Sequence, residues 1–211
     1  MMVQNIADIV SVLKDRLEPV ERAALLSDTL EGVRSTARKA AVLLGLFELE
    51  EELHLVFIRR ASTLRSHSGE IAFPGGGNEL ADSSLVVTAL REAQEEIGLD
   101  PARVEILGLL HPVFTVVSNY LILPVVAFLP EGLGMLQLQA SEVTETLLAP
   151  LRGLSDPSIF HTEQWTREGQ VRTIYFYDYG SYRIWGATAR ILNELLELFK
   201  EICNPPLCGG K

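Results

Sequence analysis

Three carboxylates stand close together in the stretch Arg91-Glu92-Ala93-Gln94-Glu95-Glu96-Ile97-Gly98-Leu99. Glu92, Glu95 and Glu96 follow an i, i+3, i+4 spacing, so on a helix their side chains are expected to converge on one patch. Unpaired acids at that spacing repel one another and weaken the helix unless a cation offsets them. A donor set made only of oxygens favours a hard divalent ion, Mg²⁺ or Mn²⁺. An acidic helix face is more often plain solvated surface, and here the flanking residues favour the metal site. Upstream, Phe73-Pro74-Gly75-Gly76-Gly77 reads as a turn whose glycines let backbone approach a ligand. Downstream, Gly98 stands where a left-handed helix cap is expected, and Pro101 bars further helix.

The elements that must position these acids are legible around them. Asp82, Ser83 or Ser84 can cap a helix whose apolar stripe runs through Leu85, Val86, Ala89, Leu90, Ala93 and Ile97. That stripe predicts a packed face with the acids pointing away from it. Ala40 to Phe47 and Leu53 to Ile58 read as a hairpin joined by the acidic turn Glu48 to Glu52, apolar on both faces as in a covered sheet. Val104 to Leu110, Leu121 to Phe128 and Val171 to Tyr177 are further strand candidates, and Ala187 to Cys203 a closing amphipathic helix. Ile9, Val10, Leu13, Leu17, Leu25 and Leu30 keep a helical period from Ile6 to about Glu31, divided at Pro19. With no internal repeat and no linker rich in Pro, Gly or Ser, residues 1–211 read as a single domain. It has a helical N-terminal extension (1–38), a core (40–200) and a frayed tail (204–211).

The glycine-rich turn, the helix and Arg-Glu-x-x-Glu-Glu-x-Gly-Leu resemble the Nudix box of hydrolases that cleave nucleoside-diphosphate-linked substrates. Glu92, Glu95 and Glu96 match that box position for position. The box also has a Glu six residues after its first glycine. Counting from Gly77 lands on Ser83, a departure, whereas counting from Gly76 lands on Asp82 and leaves one extra residue before Arg91. A second match lies upstream, where Arg60-Ala61, Arg65, Gly69 and Phe73-Pro74-Gly75-Gly76 resemble the signature of the coenzyme A pyrophosphatase subgroup. Val56-Phe57-Ile58 stands where that signature opens with Leu-Leu-Thr. His111-Pro112-Val113, Pro124-Val125, Ser141-Glu142-Val143 and Ile184 to Ala189 are similar to the subgroup as well, so the resemblance runs from about Ala40 to about Phe199.

The resemblance implies an α/β fold, the Nudix-type α/β/α sandwich around a mixed β-sheet. It implies a pyrophosphohydrolase dependent on Mg²⁺ or Mn²⁺ that cleaves coenzyme A or an acyl-CoA into 3′,5′-ADP and 4′-phosphopantetheine or its acyl form. Metal would be held by Glu92, Glu95 and Glu96, and the general base would be Glu92 or a carboxylate of the later loop, Glu142 or Glu145. Arg60 and Arg65 suit phosphate oxygens, His67 either binds substrate or caps the turn, and Gly75 and Gly76 shape the backbone near the diphosphate. Arg91 either clamps phosphate or pairs with Glu95 to fix the helix; the second role is the favoured one, which puts Arg91, Gly98 and Asp82 among the structural residues. Trp165 and Trp185 are either adenine-stacking residues or ordinary core and surface. Two other functions stay open: hydrolysis of ADP-ribose or another nucleoside diphosphate derivative, and a domain that binds such a nucleotide without cleaving it.

Composition narrows the partners. A net charge of −10 offers no basic excess for a nucleic-acid backbone, so an anionic small molecule must be met by a metal and a few placed arginines. No basic start followed by an apolar run appears at the N-terminus, and the apolar run Tyr120 to Leu129 is too short for a membrane span, so a cytoplasmic protein with no membrane partner is expected. Cys203 and Cys208 read as two free thiols. The N-terminal extension is a candidate homodimer contact.

Overall fold

The computed structural model describes residues 5–23, 36–62, 68–167 and 169–203. Strands β1 (Arg38–Leu49) and β2 (Glu52–Arg60) form the expected antiparallel hairpin. Its turn is shorter than the acidic run suggests: only Glu50 and Glu51 lie outside the strands, both at positive φ (52° and 63°), the geometry that a two-residue hairpin turn demands. Both strands are buried on both faces, because β1 lies near the centre of an eight-stranded sheet. Its central order is β3 (Ile71–Ala72), β2, β1, β7 (Tyr120–Leu129), β5 (Glu105–Leu109). Three further strands complete it: β4 (Gly75–Gly77) on β1, β6 (Val113–Thr115) on β7 and β8 (Val143–Pro150) on β2. The β1–β7 pair is parallel and its neighbours antiparallel, which makes the sheet mixed.

Helices cover both faces. On one, α2 (Leu85–Ile97) buries Leu85, Val86, Ala89, Ala93 and Ile97 against Ala41, Leu43, Val56 and Val125. On the other, α1 (Ile6–Arg16), the short α3 (Leu151–Leu154) and α4 (Gly186–Cys203) pack with Leu44, Leu55, Phe57 and Val126. This is the α/β sandwich with an N-terminal helix. The extension's helix ends at Arg16, and after Pro19 only a single 3₁₀ turn, Val20–Arg22, follows. Leu25 and Leu30 lie outside the described residues. The extension docks by a bridge between Glu18 and Leu109, and a Cβ on Gly108 would come within 2.6 Å of the Leu17 side chain.

Two readings need correction. Phe73 to Gly77 is not simply a turn: Gly75, Gly76 and Gly77 form a strand opposite Val42, Ala41 and Ala40. A Cβ on Gly75 would strike the Ala41 carbonyl, so only glycine permits that approach. Val171 to Tyr177 is a strand, as expected. It belongs to β10 (Gln170–Tyr179), the middle of a separate three-stranded sheet with β9 (Phe160–Arg167) and β11 (Tyr182–Trp185). The second correction concerns the acids, described next.

Candidate active site

Helix α2 begins and ends where its capping chemistry dictates. Ser84 Oγ accepts from the Val87 N–H, and Gly98 adopts φ 72° at the far end. Between these caps the acids do not all turn away from the core. Glu96 is buried, with only 1% of its side chain exposed, because position 96 falls where the helix leans on β4. Its Oε2 accepts the Gly75 N–H at 2.9 Å. Glu92 lies directly over Gly76, where a Cβ would come within 2.5 Å of its carboxylate. Glu95 is 59% exposed. Glycine in β4 is therefore what lets two carboxylates rest on backbone.

Arg91 ties the outer acids to the loop before the helix. It meets Asp82 through Nε (3.0 Å) and Nη2 (3.1 Å), Glu92 through Nη2 (3.0 Å), Glu95 through Nη1 (3.0 Å), and the Gly77 carbonyl (3.0 Å). Asp82 also accepts from the Thr88 hydroxyl and the Glu79 N–H. The Arg91 guanidinium beside Asp82 holds that carboxyl well below the usual range, despite opposition from burial. Ser83 caps nothing, and Asp82 occupies the inner side of the loop. The sequence left both residues open; the signal that separates them is the pairing of an acid nine residues ahead of an arginine.

Glu96 sits in the opposite situation. Burial pushes its carboxyl up to about 8, opposed by the Gly75 N–H and by Arg60, whose Nη1 is 3.8 Å away, and reinforced by the negative charges of Glu92 and Glu142. Burial likewise raises Glu92, with Glu95 and Glu142 adding to the shift. Among the described residues no three acids are already arranged around one metal position, since Arg91 takes Glu92 and Glu95. Yet the donor chemistry fits a hard cation: Glu92, Glu96 and the exposed Glu142 repel one another across a small space, and a divalent ion would replace that repulsion by coordination.

The other candidates gather unevenly. Arg60 is 26% exposed and faces Glu96; its Nε is buried with no hydrogen-bond partner among the described residues. Arg59 and Arg60 are neighbours on β2 and so point to opposite faces of the sheet. Arg59 lies 2.8 Å from Glu145 and 5.2 Å from the Tyr182 ring centre. Glu145 is thus taken up by Arg59, while the Glu142 carbonyl accepts the Ala61 N–H at 2.7 Å, joining the later loop to the end of β2. Arg65, His67 and Cys208 lie outside the described residues. Trp165 and Trp185 meet at 5.8 Å on the small sheet, alongside Phe176.

The NUDIX domain model matches residues 36–168 of this chain, a span that holds the glycine strand, the acid helix and both arginines. The chain belongs to the Nudix family. Nudix hydrolase NudL of Photorhabdus laumondii, itself uncharacterized, is 40% identical over 160 residues, covering 76% of this chain and 84% of that protein. Its namesake in Enterobacter sp. is 38% identical, covering 75% and 81%. A MutT/nudix family protein of Enterococcus faecalis, 15% identical, superposes with a TM-score of 0.51 over 95% of this chain and 75% of its own. No helix among the described residues is long and apolar enough to cross a membrane.

Proposed function

We propose that this Nudix protein is a divalent-metal-dependent pyrophosphohydrolase that splits the diphosphate of coenzyme A or an acyl-CoA into 3′,5′-ADP and 4′-phosphopantetheine or its acyl form. The observation that carries the hydrolytic reading is the buried Glu96, raised to about 8 beside Glu92 and Glu142. Holding such a carboxylate in its charged form costs free energy that a bound cation would offset. The signature running from Arg60 and Ala61 to Phe73-Pro74-Gly75-Gly76 supports the coenzyme A reading, and its ends flank the acids: Arg60 faces Glu96, and Ala61 bonds the Glu142 backbone.

Glu92, Glu95 and Glu96 would hold Mg²⁺ or Mn²⁺, which neutralises phosphate charge and lowers the pKa of water at the attacked phosphorus. Arg60, whose Nε has no hydrogen-bond partner among the described residues, turns from Glu96 to a phosphate oxygen and stabilises charge as the anhydride opens. Glu142 is the base that takes the water's proton, because Glu145 is engaged by Arg59. Gly75 and Gly76 keep the backbone clear so that the diphosphate can approach. The ligand is a small molecule.

The test is mass spectrometry of products after incubation with coenzyme A and with ADP-ribose, each in ¹⁸O-water with Mg²⁺ or Mn²⁺. The expected result is 3′,5′-ADP and phosphopantetheine, one of them carrying the label. Cleavage of ADP-ribose with coenzyme A left intact would replace the substrate. Binding of both with cleavage of neither would replace the enzyme by a sensor.

A further inference from the structure

A helix ends in carbonyls that its own backbone cannot pair. In α2 two of them are taken by the loop before β8: the Glu96 carbonyl accepts the Gln139 N–H and the Ile97 carbonyl the Gln137 N–H, each at 2.9 Å. Leu133 and Leu136 of that loop pack against the buried cluster that includes Ile97 and Leu99. A Cβ on Gly98 would come within 3.0 Å of the Gln137 backbone nitrogen. The loop is therefore laid against the C-terminal end of the acid helix.

From Gln139 the same backbone reaches Glu142. The Gln139 carbonyl accepts the N–H groups of Glu142 and Val143, both at 2.8 Å, and the Glu142 carbonyl accepts the Ala61 N–H at 2.7 Å. Val143 is buried at the start of β8. The Glu142 peptide is thus held on both sides while its side chain is exposed. The negative charge of Glu142 is felt at Glu92 and at Glu96, so the turn brings a third carboxylate to the acids. Gln139 is common to both ends, with its N–H on Glu96 and its carbonyl on Glu142. Its side chain is exposed, which assigns any role to its peptide groups and leaves no mark in the residue type.

We propose that Gln139 is a positioning residue, its peptide groups bridging the Glu96 backbone to the Glu142 backbone so that the base stands at a fixed place beside the metal-binding acids. The inference rests on the metal and base assignments of the proposed function and deepens them by naming what holds the two together. A base must lie within hydrogen-bond reach of the water it deprotonates, and a displacement of about 1 Å costs rate steeply. An exposed carboxylate on a loose turn would not keep such a place.

Gln139→Pro deletes the N–H that anchors the bridge and keeps the carbonyl that holds Glu142. Amide hydrogen exchange of the metal-free full chain should then show Glu142 and Val143 exchanging about five-fold faster or more, whereas Gln139→Ala, which keeps both peptide groups, should exchange there at the parent's rate. Unchanged exchange in Gln139→Pro, or equal loosening in Gln139→Ala, overturns the proposal. With Mg²⁺ and the substrate, Gln139→Pro should lower kcat about ten-fold or more with KM within about two-fold, and in a Glu142→Gln background it should cost nothing further. An additive loss would mean that the bridge does not act through Glu142, and overturns the proposal. Circular dichroism checks folding; if Gln139→Pro fails that check, an ester in place of the Leu138–Gln139 peptide bond removes the same proton without the proline ring and carries the same expectations. The two readings fail separately: parent-like turnover of Glu142→Gln removes the base of the proposed function and the bridge's catalytic purpose with it, whereas a slow Glu142→Gln with an additive Gln139→Pro removes the bridge alone.

Discussion

Asp82 and Glu96 sit at opposite ends of one helix, each shielded from solvent with side-chain exposures of 3% and 1%, yet their carboxyls shift in opposite directions. Asp82 is driven down because Arg91 grips it with two nitrogens and Thr88 and Glu79 add hydrogen bonds. Glu96 is driven up because one amide and an arginine at 3.8 Å do not offset its loss of water. Burial alone therefore says little about a carboxylate's role; the completeness of its partners does. The loop end of the helix is a closed electrostatic lock, and the β4 end is open to a cation.

The largest effect should come from closing the open end. Glu96→Gln keeps the acceptor for the Gly75 N–H but removes the charge a metal would need, and turnover should fall by about 10³-fold or more. The same change should leave the metal-free fold as stable at pH 8 as the parent or more so, since no ion has to be buried. A steady-state assay and a thermal melt check both halves. Parent-like turnover at saturating Mg²⁺ would mean that the two ends do not differ in function.

Opening the closed end should act on stability first. Arg91→Met strands Asp82 in the interior and frees Glu92 and Glu95 from their shared partner, at a cost of about 3 kcal/mol. Denaturant midpoints should show it, and Asp82→Asn in the same background should recover part of the loss. If Arg91→Met melts like the parent, the lock is not one.

Some of this contrast was legible in the residues and some was not. The 3.6-residue period, Ser84 and Gly98 define α2, and the apolar runs define the β1–β2 hairpin, because those signals are local. The strand Gly75–Gly77 was hidden, since three glycines have the poorest strand propensity and pair only because β1 offers an open edge. β9 was hidden for a related reason: Phe160–Arg167 is largely exposed and polar, without an apolar alternation, and β10 holds it in place. The helical pattern set Glu92, Glu95 and Glu96 on one helix, α2. Which of them meets the sheet depends on the path of β4, a tertiary fact that no i+4 count contains.

The pH dependence of stability should show both ends at once. Asp82 has a folded pKa below its unfolded value of about 4, so its contribution is present above that pH and is lost as pH falls through the folded pKa. Glu96 has a folded pKa raised to about 8 against about 4.3 unfolded. Its contribution is full below the unfolded value and is lost as pH rises toward 8. The metal-free melting temperature should therefore decline from pH 5 to pH 9 by on the order of ten degrees, because a shift from about 4.3 to about 8 is worth about 4 kcal/mol over that window. A saturating metal binds the deprotonated form and should flatten that decline. Glu96→Gln should flatten the alkaline limb alone, and Asp82→Asn the acid limb alone; a single variant that flattens both would merge the two regions.

The smallest expected effect tests whether the lock reaches the acids. Thr88 is fully buried, donates to Asp82 Oδ2 at 2.9 Å and accepts from Asn78 Nδ2 at 3.0 Å. Thr88→Val keeps the shape and removes these bonds along with the hydroxyl's 3.3 Å bond to the Ser84 carbonyl, costing about 1 kcal/mol. Asp82 still has the Arg91 fork and the Glu79 N–H, so Arg91 should stay in place and hold Glu92 and Glu95 as before. Turnover should then change by less than about two-fold while the melting temperature drops by a few degrees. A loss of turnover as large as that of Glu96→Gln, without a matching loss of stability, would mean that the hydroxyl acts on the acids through Asp82 and Arg91. In that case the closed end positions the chemistry of the open one.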